Sequence, residues 1–168
     1  MSIVRKTIIP VFAFLLFSPF VPSVLAGESD GDRLRAGDAI TIEVLKPILE
    51  GEGYTVTVDE DKDLVVKKDN YTIFLEIGDS YIRIKDFWGI KDDVSELRRL
   101  KFVNEFNDKY NWYRATATGK DFSMIVVDYY IRTNNKISRN QVLGALKAYF
   151  VSMPRIMIEL NKDHEILK

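Results

Sequence analysis

Residues 54–88 read YTVTVDEDKDLVVKKDNYTIFLEIGDSYIRIKDFW, and this stretch decides the fold class. It contains four short runs that are rich in apolar residues. In the third run, Tyr71, Ile73, Leu75 and Ile77 occupy every second position and form one face. A period of two is typical of β-strands with one buried face. Turn-forming residues separate the runs. Strands this close in sequence pair as an antiparallel meander, with members predicted at 54–58, 64–66, 71–77 and 80–88.

Helical patterns flank this meander on both sides. Residues 38–52 predict a helix that starts at Asp38, and Pro47 should kink it or shift its start. A second helix should follow, capped by Asp92 or Asp93. Its predicted buried stripe consists of Val94, Leu97, Leu100, Val103, Phe106 and Tyr110.

The C-terminal third predicts two strands and a last helix. The strands are expected at 112–118 and 122–132, and the second is apolar on both faces, which is typical of a central strand or of a face that awaits a partner. Ser138 and Gln141 have the spacing of a capping box, and Pro154 should kink or end the helix. The prediction is therefore an α+β fold, an antiparallel sheet with packed helices in the order α-β-β-β-β-α-β-β-α.

The first 26 residues have the pattern of a secretory signal peptide. Arg5 and Lys6 precede an apolar run at 8–17, and Val24-Leu25-Ala26 offers a cleavage site. The apolar run is shorter than the roughly 20 residues that a spanning helix needs, so we expect cleavage near Ala26 and no stable membrane span. The expected location is the periplasm or the medium. An uncleaved membrane anchor is the alternative interpretation.

The remaining chain divides into three predicted parts. Residues 27–37 (GESDGDRLRAG) are polar and glycine-rich, as in a flexible linker. A single domain should span 38–162, and 163–168 should form a polar tail. The whole chain has a net charge of −1, which disfavours nucleic acid as a partner, and it has no cysteine. Disulfides, thiol nucleophiles and cysteine metal sites are therefore excluded.

The residues offer little for catalysis. Acids alternate at 59–63 as in a calcium loop, but Leu64 and Asn70 stand where that loop needs Gly and Glu, so a solvated hairpin turn is favoured. His164 is the only histidine, which rules out a His-based triad. Asp128 interrupts an apolar strand, and pairing with Arg132 or solvent is favoured over a catalytic role. We therefore predict no enzyme, no catalytic or metal residues and no cofactor, with a carboxylate-only hydrolase ranked last.

Aromatic residues near the predicted strand ends are the candidates for partner binding. They are Phe87, Trp88, Ile90 (an aliphatic neighbour of the pair), Trp112 and Tyr129. Aromatic side chains are enriched at binding hot spots, but they are also common core residues, and the core interpretation is favoured for this set. The segment Phe87-Trp88-Gly89-Ile90 is the preferred exposed patch because it leads into a helix.

The order of elements and several local phrases resemble the YbjN domain family. The phrases are LKPILEGEGYTV, DLVVKKDNYTIFLEI, ELRRLKFVNEFNDKY and SRNQVLGALKAYF, within about residues 40–151. The resemblance implies a fold similar to class I type III secretion chaperones and a role labelled sensory transduction regulation. Many members lack a signal peptide, so export sets this chain apart from a cytoplasmic secretion chaperone.

Two functions follow as expectations. The first is an exported, non-enzymatic module that binds a protein partner, as a chaperone-like or regulatory domain, with a homodimer implied by analogy of fold. The alternative is a periplasmic carrier of a small molecule or lipid that uses an apolar cleft.

Overall fold

The computed structural model describes residues 40–133 and 137–168 of the chain. The predicted signal peptide, the predicted linker at 27–37 and the proposed helix cap at Asp38 lie outside the described residues. In the part that is described, no helix is both long enough and apolar enough to cross a membrane.

A six-stranded antiparallel sheet forms the centre of the fold. The strands follow the order β1-β2-β3-β4-β6-β5 across the sheet. Their bounds are Thr55–Val58 (β1), Leu64–Lys68 (β2), Tyr71–Ile77 (β3), Tyr81–Gly89 (β4), Arg114–Thr118 (β5) and Met124–Arg132 (β6). The predicted meander is confirmed for β1 to β4, and the hairpin of β5 and β6 joins it through β6.

Three helices complete the predicted order, which is confirmed. They are α1 (Ile42–Gly51), α2 (Glu96–Lys109) and α3 (Arg139–His164). The predicted start of the first helix at Asp38 is wrong, since α1 begins at Ile42 after its N-cap Thr41, and Pro47 lies inside the helix, which ends at Gly51. The last two strands begin two residues later than predicted, since Trp112 lies in a turn and Phe122 belongs to a short 3-10 turn at Lys120–Phe122.

The predicted stripe of α2 needs correction. Ser95, not Asp92 or Asp93, caps the helix, because its side chain accepts a hydrogen bond from the backbone N–H of Arg98. Leu97 is 77% exposed, and Leu100 is also exposed. The predicted burial of Val94, Val103 and Phe106 is confirmed, and Arg99 and Phe102 join them in place of Leu97 and Leu100. Residues 99, 102, 103 and 106 lie on one face at helical spacing, and this face leaves Leu97 and Leu100 on the solvent side.

Arg99 is buried because backbone carbonyls receive its guanidinium. The guanidinium donates to the carbonyls of Val94 at 2.8 Å, Asp92 at 3.4 Å and Asp121. A buried arginine needs such acceptors to offset its loss of water. Arg99 thereby ties the loop before α2 to the 3-10 turn between β5 and β6.

The last helix is longer than predicted. Pro154 does not end α3, which runs for 26 residues with its capping box at Ser138 and Gln141 as expected. Proline removes only one backbone donor, while Met153 and Met157 on either side of it are fully buried. Packing on both sides of the proline therefore holds the helix together.

The predicted polar tail at 163–168 is wrong. Ile166 and Leu167 are buried, and Leu167 forms a β-bridge with Ile90. The backbone N–H of Lys91 donates to Ile166 at 2.8 Å, and that of Lys168 donates to Gly89 at 3.0 Å. The chain end is thus part of the domain, and it pairs with the backbone of residues 89–91 at the end of β4.

The helices cover one face of the sheet and leave the other face open. Strand residues such as Val66, Leu75, Ile84 and Val127 are buried on the covered face, while their neighbours in sequence are more exposed. We call the second side the open face. It carries Val65, Phe74, Glu76, Tyr81, Arg83, Lys85, Phe87, Met124, Val126, Asp128 and Tyr130.

Candidate functional site

The centre of the open face is an ion-pair network. Arg83 donates from Nε and Nη2 to both carboxylate oxygens of Asp128, at 2.8 and 3.0 Å, and from Nη1 to Glu76 at 3.1 Å. Lys85 pairs with Asp63 at 2.6 Å and with Glu76 at 3.3 Å. The pairing of antiparallel strands β3, β4 and β6 places these side chains side by side.

These contacts explain the ionisation of the network. The hydroxyl of Tyr81 donates to Glu76 at 2.7 Å, and together with Arg83 and Lys85 it holds the pKa of Glu76 below its usual value. The hydrogen bonds to Asp128 raise the pKa of Arg83. Both shifts favour the charged forms of Glu76 and Arg83, and the phenol of Tyr81 serves as a donor.

Aromatic pairs surround this network. Phe74 and Phe87 meet edge to face at 5.2 Å between ring centroids, and Tyr81 and Tyr130 lie 5.7 Å apart. The guanidinium of Arg83 lies over the Tyr130 ring at 5.6 Å. Phe87 and Tyr130 are 46% and 50% exposed, which is high for large rings in the middle of a sheet. The open face thus combines exposed aromatic surface with fixed charges.

The covered face holds a second unusual group, the carboxyl of Asp86. It is fully buried in β4, between the sheet and α3. Tyr71 donates to its Oδ2, and the indole Nε1 of Trp88 donates to the same oxygen at 2.8 Å. Its Oδ1 has no partner among the described residues. Burial raises the pKa of Asp86 to about 6, and the hydrogen bonds from Tyr71 and Trp88 oppose this shift.

An aromatic cluster encloses Asp86. Tyr149 from α3 is also close to the carboxyl, and its hydroxyl donates to the carbonyl of Val127 at 3.3 Å. Tyr113 and Tyr129 pack against Tyr149, with ring centroids 5.7 and 6.4 Å away. Burial raises the pKa of Tyr149, so its phenol stays protonated and can only donate or accept a neutral hydrogen bond.

The structure separates the five residues that were predicted to bind a partner. Phe87 lies on the open face, and Trp112 lies in the turn after α2 with 82% of its surface exposed. Trp88 and Tyr129 are half-buried on the covered face, in the aromatic cluster around Asp86. Ile90 is fully buried because it pairs with Leu167, so it is a core residue and not a contact residue.

The acidic candidates also have definite places. Residues 59–63 form the turn between β1 and β2, where Asp59 Oδ1 accepts a hydrogen bond from the backbone N–H of Asp63 at 2.9 Å. Asp128 pairs with Arg83, not with Arg132. His164 ends α3, lies 2.9 Å from Glu105 and is largely buried. Across residues 40–133 and 137–168, no three metal-ligating side chains come together in a cluster.

Sequence reasoning missed Asp86 and the ion-pair network of the open face. The signal for Asp86 was present, since alternation from Ile82 and Ile84 places it on the inward side of β4. A carboxylate at an inward position requires buried donors, and those donors come from β3, β4 and α3. Their convergence is not visible in the order of residues.

Comparison with known proteins shows similarity at the level of structure. No family model and no curated protein matches the sequence. The crystal structure of YbjN from E. coli, a candidate transcription regulator, superposes with a TM-score of 0.66 at 12% identity and covers 78% of this chain and 98% of that one. An uncharacterised protein from Methanothermobacter thermautotrophicus superposes with a TM-score of 0.53 at 17% identity, covering 73% and 97%.

Both neighbours are matched over nearly their full length. Identities this low establish the fold and not the activity. The chain has a YbjN-like α+β fold.

Proposed function

We propose that this protein is a non-enzymatic binding module whose open face contacts a protein partner. One observation carries the proposal: the strands β3, β4 and β6 present the exposed rings of Phe87 and Tyr130, and no described helix packs over them. Exposed aromatic surface rimmed by polar groups is typical of interaction sites. Tyrosine, tryptophan and arginine are also the residues that contribute most to hot spots.

The ion-pair network suits such a surface. Arg83 is already paired with Asp128 and Glu76, so docking a partner would not leave its charge without a counterion. A buried and unpaired charge would be costly at an interface. The paired network can therefore be covered, while the rings of Phe87 and Tyr130 supply the apolar contact area.

The role of this module is a chaperone-like or regulatory one. The structural neighbour from E. coli is described as a candidate transcription regulator. The net charge of −1 in the present chain favours action through protein contacts over direct contact with DNA. Folding assistance and regulation both require a surface that binds another polypeptide.

The same proposal places the protein outside the cytoplasm. Residues 1–26 have the three regions of a secretory signal in order. Fractionation of native cells, with N-terminal sequencing of the recovered protein, tests this point. We expect a periplasmic or secreted species that begins at Gly27. A full-length cytoplasmic protein would contradict export while leaving the binding proposal standing.

Site-specific photocrosslinking tests the binding surface. A photoreactive phenylalanine analogue replaces Phe87 in native cells, and the tag is inserted in the predicted linker at 27–37, because the chain end pairs with β4. We expect one or two discrete adducts with other polypeptides. An adduct between two copies of this chain would show that the partner is a second copy, as the analogy with secretion chaperones implies.

Ile158 provides the matched control. It is 61% exposed on α3, away from the open face, and carries the same analogue in a second strain. Equal labelling at positions 87 and 158, or no adduct at position 87, would overturn the proposal. The double variant Phe87→Ser, Tyr130→Ser should lose the adducts of a crosslinker placed at Met124, while circular dichroism shows an intact fold.

A further inference from the structure

A small cleft opens at the corner where β1, the β2–β3 turn and α3 meet. It has a volume of about 290 Å³ and is lined by Tyr54, Lys68, Asp69, Tyr71, Lys147, Phe150 and Val151. This is close to the lower end of the roughly 300–1,000 Å³ typical of ligand pockets. The cleft is separate from the open face, so an inference about it does not depend on the proposed function.

Aromatic rings form the walls of the cleft. The ring centroid of Phe150 lies 5.2 Å from that of Tyr54 and 5.5 Å from that of Tyr71, where the contact is edge to face. Phe150 belongs to α3, Tyr71 belongs to β3 and Tyr54 immediately precedes β1, and each ring also packs against the core. Rigid apolar walls of this kind suit a flat apolar ligand.

Cations dominate the charge around the cleft. The ammonium of Lys68 lies over the Tyr54 ring at 5.2 Å from its centroid and has no carboxylate partner among the described residues. Lys147 pairs with Glu52 at 2.9 Å, but Glu52 also pairs with Arg139 at 3.1 Å. One carboxylate therefore balances two cations. Asp69 is the acid in the lining. Together with Glu52 it does not fully offset the three cations, so the surroundings of the cleft keep a positive excess.

One buried group beside the cleft lacks a hydrogen-bond partner among the described residues, and it is shielded from the cleft itself. Tyr54 is 5% exposed, and its buried hydroxyl makes no hydrogen bond in the part of the chain that is described. Burial raises the pKa of Tyr54, so the phenol keeps its proton. A buried hydroxyl without an acceptor is unfavourable, and most such groups in proteins are satisfied by a protein group, a water or a ligand.

We propose that this cleft binds a small organic anion with a flat apolar body, such as an aromatic carboxylate. The rings of Tyr54, Tyr71 and Phe150 would contact the apolar body. Lys68 would pair with the anionic group, since it is the cation without a carboxylate partner. Lys147 would add long-range attraction from the mouth of the cleft.

The fluorescence of Trp88 provides a direct readout. The chain has two tryptophans, and the exposed one, Trp112, is removed by Trp112→Phe. The ring of the remaining Trp88 lies 6.0 Å from that of Tyr71, which lines the cleft. We expect benzoate to change the Trp88 emission with saturation, and its neutral analogue benzamide to bind about tenfold more weakly, because it lacks the charge.

Two pairs of variants test the location. Val151 lines the cleft and is 56% exposed, so Val151→Glu adds a negative charge at its mouth without disturbing the core, and Ile158→Glu is the control on the same helix. Lys68→Met removes the proposed counterion, and Lys162→Met is its control. We expect about a tenfold loss of benzoate affinity in both cleft variants and no change in both controls.

Three results would overturn the proposal. They are equal binding of benzoate and benzamide, unchanged binding in Val151→Glu and Lys68→Met, and absence of saturable benzoate binding by calorimetry. Because Phe87 and Tyr130 are not in the cleft, loss of crosslinking at the open face would not affect this outcome.

Discussion

Asp86 occupies an inward position of β4, where the preceding inward residues Ile82 and Ile84 are apolar. Hydrogen bonds from Tyr71 and Trp88 compensate part of its lost hydration, but its Oδ1 remains unpaired within the described chain. Protonation relieves the desolvation of the charged form. The side chain therefore links the stability of the core to pH.

Burial raises the pKa of Asp86 from 3.8 to about 6 in the folded protein. Between these values the folded state holds a proton that the unfolded state has released. The contribution of Asp86 to the free energy of unfolding is thus largest at low pH and declines as pH rises through about 6, by about 3 kcal/mol in total. Urea unfolding from pH 4.5 to 7.5 should show most of this decline, about 2 kcal/mol, in the wild type and not in Asp86→Asn.

Asp108→Asn is the matched control, because Asp108 is exposed on α2. Its stability should follow the wild-type dependence on pH. If Asp86→Asn and the wild type differ by a constant amount over the whole range, Asp86 does not titrate there and its carboxyl has a different environment.

The pair of Arg83 and Asp128 gives a second prediction. Asp128 is 6% exposed, so Arg83→Met leaves a nearly buried carboxylate without its two hydrogen bonds. We expect the free energy of unfolding to fall by about 2–3 kcal/mol, below the full cost of a buried pair because Arg83 is partly exposed. Adding Asp128→Asn should recover part of the loss in urea unfolding. A double variant less stable than Arg83→Met alone would show that the pair is not the source of the effect.

A side chain in the last turn of α3 holds the segment that follows the helix. The side-chain Oδ1 of Asn161 accepts hydrogen bonds from the backbone N–H groups of Ile166 at 2.8 Å and Leu167 at 2.9 Å. These bonds turn the chain after the helix and direct Ile166 and Leu167 into the core. Glu165 takes the left-handed conformation at this turn, with φ of 52°.

Asn161→Ala should therefore destabilise the protein by about 1–2 kcal/mol, because two partly buried donors lose their acceptor. Thermal and urea unfolding provide the measurement. Lys162→Ala, one residue further on and exposed, should change stability by less than about 0.5 kcal/mol. Equal effects of the two substitutions would mean that the chain end contributes little to the fold.

Over the whole molecule, a single core connects all elements. Buried residues from the three helices, the six strands and the chain end belong to one cluster. Such a domain should unfold in one cooperative transition. Circular dichroism and the fluorescence of Trp88, measured in Trp112→Phe, should give the same midpoint in urea. Separate midpoints would show that the sheet and the helical layer unfold independently.

The sequence by itself determined the elements and their order. Alternation along residues 54–88 predicted four strands, and the Ser138 and Gln141 pattern predicted the start of α3, because both signals are local. The apolar character of β6 on both faces was compatible with a central strand or with a face that awaits a partner; β6 lies between β4 and β5, and one of its faces belongs to the open face. The predicted helix ends and the predicted stripe of α2 were less accurate, because the positions of proline and leucine in the sequence do not reveal which distant segments cover those residues.

Tertiary structure alone decided which groups meet. Arg83 and Asp128 are 45 residues apart, and their pairing depends on β6 joining the sheet beside β4. Ile90 is buried because the chain end returns to it, and Asp86 is tolerated because Tyr71 and Tyr149 converge on it from β3 and α3. Local patterns report what a residue prefers, whereas burial and charge pairing depend on distant segments that only folding brings together.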